Sequence, residues 1–150
     1  MTNILDKIVA NKRKEVEQQK QVVGIDQLAD SITDITNPYS FKEALSKSAT
    51  GIIAEFKRRS PSRDWIFKDA RIEDVIPFYS QNGASAISVL TDFDFFGGTL
   101  ADLEHARQLT TTPLLRKDFM IDEYQLYQAK LSGANAILLI ASALSIAKTK

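Results

Sequence analysis

Cysteine is absent from the 150 residues. That excludes disulfides, Cys-ligated zinc, iron–sulfur clusters and thiol nucleophiles. Histidine occurs once, as His105, so a His-rich metal site or a triad chosen among several histidines is not expected, and no metal is predicted. Charge of one sign is not in excess: Lys plus Arg is 19 and Asp plus Glu is 19, a formal net charge of zero. No global field gathers nucleic acid or an acidic membrane. No apolar run approaches the roughly 20 residues of a membrane span. The amphipathic N-terminus lacks the apolar core and cleavage site of a secretory signal, so the expected location is the cytoplasm. The chain has 44% hydrophobic and 25% charged residues. That is ordinary globular composition, with enough apolar mass for a core.

Two regions follow different grammars. Residues 1–50 read as a helical extension. A helix is expected over 3–20, with Ile4, Leu5, Ile8, Val9 and Val16 near one face and Lys and Glu on the other. Asp26 is expected to cap a short second helix through Leu28 and Ala29, Asn37-Pro38 signals a turn, and Ser40 caps FKEALS with Glu43 as its capping-box partner. Residues 51–150 alternate. Strands are expected in GIIAEFK, ASAISVLT, PLLRKDF and ANAILLIA. Helices are expected in ARIEDVIPFYSQNG, with Pro77 a source of bending, in LADLEHARQL after a Thr99 cap, and in EYQLYQAKLSG after an Asp122/Gln125 capping pattern. ALSIAKTK reads as the start of the next loop and helix. The order β-α-β-α-β-α-β at about 30 residues per unit implies a parallel sheet with right-handed crossovers. It closes either as a doubly wound sheet or as a barrel. No GxGxxG follows the first strand, which weakens the dinucleotide-binding version.

Alternation of side chains divides the first strand. Ile52, Ala54 and Phe56 point toward helices. Ile53, Glu55 and Lys57 point inward, which sets an acid and a base at a strand's C-terminal end. In the third strand Leu115, Lys117 and Phe119 share a face, and Lys117 reaches the same mouth. Two ammonium groups on one pocket suit an anionic substrate, and their repulsion favours a lowered pKa in one of them. The plain alternatives are a rim ion pair and snorkelling lysines. KRRSPSRDW, with Ser60 and Ser62 among its cations, suits a carboxylate or phosphate, or is a solvated loop. TDFDFFGGT puts Phe95 and Phe96 on a flexible loop, as a wall for an aromatic substrate or as packing. Asp92 and Asp94 alone are weak evidence for a metal. His105 is expected at the surface of a helix.

IIAEFKRRSPSRDWI, GASAISVLTDFDFFGGTLADL, PLLRKDFMIDEYQ and GANAILLIASAL, in that order and spacing, resemble four consecutive blocks of indole-3-glycerol phosphate synthase. The resemblance covers residue 51 to the end, and ILDKIVANKRKEVEQQK is similar to the family's N-terminal extension. It implies an α/β fold of the (β/α)8 TIM-barrel type, here the first four βα units plus the extension. It implies a carboxy-lyase of tryptophan biosynthesis that closes the indole ring of 1-(2-carboxyphenylamino)-1-deoxyribulose 5-phosphate with loss of CO2 and water, without metal or organic cofactor. By position, Lys117 matches the family's general acid and Glu55 and Lys57 its first-strand pair. Ser60 matches a loop serine near the substrate, and Phe96, Phe119 and Leu138 match apolar positions around the anthranilate ring. FKRR stands where an IKRA-like run is commoner, a packing change because Phe56 faces helices.

The family's fifth-strand glutamate, the following asparagine and the late phosphate-binding glycines and serine lie beyond Lys150. The polypeptide 1–150 is therefore expected to be inactive alone. Alternatives are another phosphate-sugar barrel such as phosphoribosylanthranilate isomerase, against which AEFKRRSPS and LLRKDF argue, and a non-catalytic half-barrel binding or assembly module that self-associates through open strand edges.

Overall fold

The computed structural model describes residues 3–33, 35–36 and 38–149. Three helices lead: α1 (Ile4–Val22), α2 (Ile25–Ser31) and α3 (Phe41–Lys47). Asn3 starts α1 through a reciprocal capping box with Asp6. The buried face of α1 is Ile8, Lys12 and Val16, one turn apart each. Ile4, expected on that face, is exposed, and Lys12, expected in water, is not. Ser40 caps α3 by accepting the Glu43 N–H at 3.2 Å, while the Glu43 carboxylate pairs with Lys47 at 3.0 Å. Asn37, half of the expected turn, lies outside the described residues.

The alternating region contains β1 (Ile53–Phe56), a ribbon of β2 (Arg59–Ser60) and β3 (Asp64–Trp65), α4 (Ile72–Gln81), β4 (Ala86–Leu90) and α5 (Phe93–Phe96). It continues with α6 (Leu100–Leu109), β5 (Leu114–Lys117), α7 (Tyr124–Leu131), β6 (Ala136–Ile137), a 3-10 turn at Ala141–Ala143 and α8 (Ile146–Thr149). Four strands pair in parallel in the order β1-β4-β5-β6. Four successive βα units in chain order form one arc of a (β/α) barrel.

One sheet face carries Phe56, Ile87, Val89, Leu114 and Ile137 against Ile72, Ile76, Leu103, Ala106 and Ala129 from α4, α6 and α7. Each fully buried aliphatic side chain here contributes about 1.5–3 kcal/mol. Thr99 and Asp102 form a complete capping box on α6. Asp122 accepts the Tyr124 N–H at 3.0 Å and Gln125 accepts the Asp122 N–H at 3.3 Å, which sets the start of α7. α4 runs through Pro77.

Two expectations need correction. The last strand was expected over ANAILLIA, but only Ala136 and Ile137 join the ladder. Among the described residues β6 has β5 as its one neighbour. Ile140 is still extended. Ile52, expected against helices, is 55% exposed, because it precedes an edge strand with a partner on one side only. No helix among the described residues is long and apolar enough to cross a membrane.

Candidate active site

The pairing register fixes what the inner face presents. Glu55 lies level with Ser88, Ser88 with Leu115, and Leu90 with Lys117. Glu55, Ser88, Leu115 and Lys117 therefore share the face opposite the helix-covered core. The Glu55 carboxylate sits between two ammonium groups. Lys57 Nζ donates to Oε1 at 2.8 Å and Lys117 Nζ to Oε2 at 3.0 Å. All three side chains are about a third exposed, at 32%, 31% and 32% for Lys57, Glu55 and Lys117. Partial burial pushes the Glu55 carboxyl up, but the two donated hydrogen bonds and the two positive charges outweigh it and hold it below the usual carboxylate range.

The aromatic residues meet on the neighbouring segment. Phe96 and Phe119 have ring centroids 5.9 Å apart at an interplanar angle of 35°, within the range of favourable aromatic pairs. The Gly-rich segment carrying Phe96 was expected to be flexible. Instead it is a helical turn. Asp92 caps α5 by accepting the Phe95 N–H at 2.9 Å, and Gly97 closes it at a φ of 66°. Leu138 is half-buried, and the β5–β6 register carried one residue on sets it beside Lys117.

Ser60 stays apart from the carboxylate–lysine group. Its Oγ accepts the Arg63 N–H at 3.2 Å and lies 3.3 Å from Ser62 Oγ, within its own ribbon. The basic cluster around it is largely spent inside the protein. Arg58 binds Asp102 with two parallel bonds at 2.7 and 2.9 Å and also donates to the Ala70 carbonyl. Arg59 binds Asp64 at 2.6 Å and the Asp94 carbonyl at 2.8 Å, with its guanidinium 5.5 Å from the Trp65 ring centroid. Of the expected anion cradle, Lys57 faces Glu55 and Arg63 is exposed. Asp94 accepts from Asn11 at 2.6 Å. His105 is half-exposed on α6, 4.0 Å from Glu73.

Sequence reasoning missed two features. Ser88 is 3% exposed, and its Oγ has no hydrogen-bond partner among the described residues. A lone polar residue inside AISVL was the available signal. The second is a buried ion cluster at the ends of β4 and β5. Lys12 Nζ stands 3.0 Å from Asp92 Oδ2, 3.1 Å from Asp118 Oδ1 and 2.7 Å from Glu15. Arg116 adds Asp118 Oδ2 at 3.1 Å and Thr91 Oγ1 at 3.0 Å. Burial pulls the Lys12 ammonium down, but Asp118, Asp92 and Glu15 outweigh it and hold it above its ordinary value. The signals were a lysine at the i+4 step between Ile8 and Val16, and charges at 116 and 118 on the helix-facing side. A cleft of about 410 Å³ is lined by Lys20, Met120, Asp122, Leu126, Leu139 and Leu144 among others; it takes the residues that follow Phe119 and Leu138 but neither of those two.

Residues 5–150 match the family described as indole-3-glycerol phosphate synthase. The indole-3-glycerol phosphate synthase of Bacteroides thetaiotaomicron is 57% identical over 144 residues, covering 96% of this chain and 55% of the relative. Those of Alkaliphilus metalliredigens and of a Prochlorococcus marinus strain are each 46% identical. They cover 95% of this chain and 55% and 49% of the relatives. The chain thus spans about half the length of the curated relatives it matches.

Proposed function

The chain belongs to the indole-3-glycerol phosphate synthase family, and from that premise we propose that the intact protein closes the indole ring of 1-(2-carboxyphenylamino)-1-deoxyribulose 5-phosphate. The observation that carries the reading is Glu55 held between Lys57 and Lys117 on the inner face, in a protein whose Phe96 and Phe119 rings pair. In the closure, the ring carbon bearing the carboxylate bonds to the ketone carbon of the sugar chain. The ketone oxygen takes a proton and CO2 departs. The hydroxyl then leaves with a second proton, as water, while the carbon between it and the nitrogen gives up a proton and the indole double bond forms. A positioned ammonium serves both protonations, and Lys117 is assigned that role. Lys57 meets the anionic groups of the substrate, and Glu55 orients the two lysines and the reacting amine. Phe96, Phe119 and Leu138 hold the anthranilate ring, and Ser60 reaches the substrate from its loop. The chemistry assigned to these residues calls on no metal or organic cofactor. A small soluble substrate suits a cytoplasmic enzyme with no nucleic-acid or membrane partner.

Because the relatives are about twice as long, the activity is assigned to the intact protein, and residues 1–150 alone are expected to lack it. Lys117→Met in the intact protein is expected to lower kcat by about 10²–10⁴-fold, with a smaller change in KM. Formation of indoleglycerol phosphate at the unaltered rate would overturn the assignment.

A further inference from the structure

We propose that Lys12 is a positioning residue for the aromatic wall: its ammonium ties Asp92 to Asp118 and so sets the spacing of Phe96 and Phe119. The part of this that concerns catalysis rests on the function proposed above. The part that concerns the rings does not.

Lys12 comes from the N-terminal helix, yet its side chain is only 1% exposed. Its two aspartates each begin a segment bearing a ring. Asp92 caps the turn that ends in Phe96. Asp118 precedes Phe119 and accepts its N–H at 2.8 Å. One cation therefore holds the roots of both aromatic segments, at 3.0 and 3.1 Å. The two aspartates are not equally dependent on it. Asp118 keeps Arg116 at 3.1 Å and the Thr91 hydroxyl at 2.7 Å. Asp92 Oδ2 is buried and makes no hydrogen bond of good angle. Lys12 is the cation within 4 Å of it among the described residues. Removing the ammonium leaves Asp92 as a buried carboxylate without a counterion, which the structure relieves by moving toward water. Phe96 must move with it, and Phe119 less.

The test uses the intact protein with fluorophenylalanine placed at 96 and, separately, at 119, read by 19F NMR without substrate. Lys12→Met is expected to shift the resonance at 96 strongly and the one at 119 weakly. With substrate, KM is expected to rise about tenfold with kcat changed by less than about threefold. Ile8→Ala is the control: it weakens the packing of the same helix at a residue 3% exposed, and its side chain carries no charge or hydrogen bond to the cluster. It is expected to lower stability and leave KM unaltered. Equal KM effects from Lys12→Met and Ile8→Ala overturn the proposal, as do unmoved resonances. Should Lys12→Met not fold, Asp92→Asn keeps an acceptor for the Phe95 N–H and removes the charge that Lys12 holds. It is expected to shift the signal at 96 alone, and no shift at 96 overturns the proposal. If the unaltered protein forms no indoleglycerol phosphate, the proposed function fails, while the NMR readings still decide the role of Lys12.

Discussion

A Cβ built on Gly98 falls 2.0 Å from the Leu90 carbonyl oxygen and 3.2 Å from the Thr91 nitrogen. Both obstacles are backbone at the end of β4, so neither can rotate away. Gly98→Ala is expected to destabilise the intact protein by about 3 kcal/mol, measured by urea unfolding. An unaltered midpoint would contradict the close approach. The sequence offers Gly97-Gly98 as a source of looseness; at position 98 the glycine serves contact. Lys12 teaches the converse. A lysine reads as solvated because water is where an unpaired ammonium belongs. Its true position depends on two carboxylates about 80 and 106 residues further along, which helical periodicity cannot see. Glu55, Lys57 and Lys117 were legible because their strands are short and alternation alone puts them on one face. Ser88 obeys the same alternation, but a hydroxyl in an apolar run carries no charge to draw the eye.

Helix starts were the most legible elements, because a cap is a local bond. Thr99 and Ser40 cap as their spacing suggests, although Glu43 turns to Lys47 instead of closing the box; Asp122 and Gln125 bond just ahead of α7, whose Glu123 cap makes no side-chain bond, and Asp26 lies inside α2 behind an unbonded Gly24 cap. Strand ends were the least legible, because a ladder needs a neighbour from elsewhere in the chain. The loop after β1 belongs between these cases. Its arginines read as an anion site, yet Arg58 is bound to Asp102, the residue that completes the α6 cap. Asp102 thus fastens a loop and a helix end together. Thr99→Ala is expected to cost about 1 kcal/mol, the ordinary worth of an N-cap. Asp102→Ala is expected to cost about 2–3 kcal/mol, since it also strands a guanidinium that is mostly shielded from water. Paired denaturation curves check the order. Equal losses would mean that the Arg58 bond contributes nothing.

For the molecule as a whole, the carboxylates set the response to acid. Burial pushes the Asp118 carboxyl up, but Lys12, Arg116, the Thr91 hydroxyl and the Phe119 N–H outweigh it and hold it below its usual range. Glu55 is lowered as well, by its two lysines. A carboxyl lowered on folding stabilises the fold above its unfolded pKa, about 3.9 for Asp and 4.3 for Glu, and that contribution is lost as pH falls through the folded value. Lys12 is raised, so its contribution is complete below about pH 10.4 and is lost only as pH rises through the higher folded value. The thermal midpoint is expected to hold from about pH 8 to pH 5 and to fall below about pH 4. Asp118→Asn should lower the midpoint at neutral pH and flatten the acid limb. A variant whose acid limb stays as steep would remove Asp118 from the account.

Strand order has a further consequence, in time rather than in space. Every strand of the main sheet pairs with the next one synthesised, so a growing chain can lay each unit on the last. Helix α1 departs from that order. Its partners Asp118, Asp122 and Gln128 are about a hundred residues downstream. At about 5–20 residues per second, translation leaves it without them for roughly 5–20 s. Helix α1 docks only after the strands and loops that carry its partners have been made, and the ammonium of Lys12 gives up its water only when both aspartates have arrived to replace it.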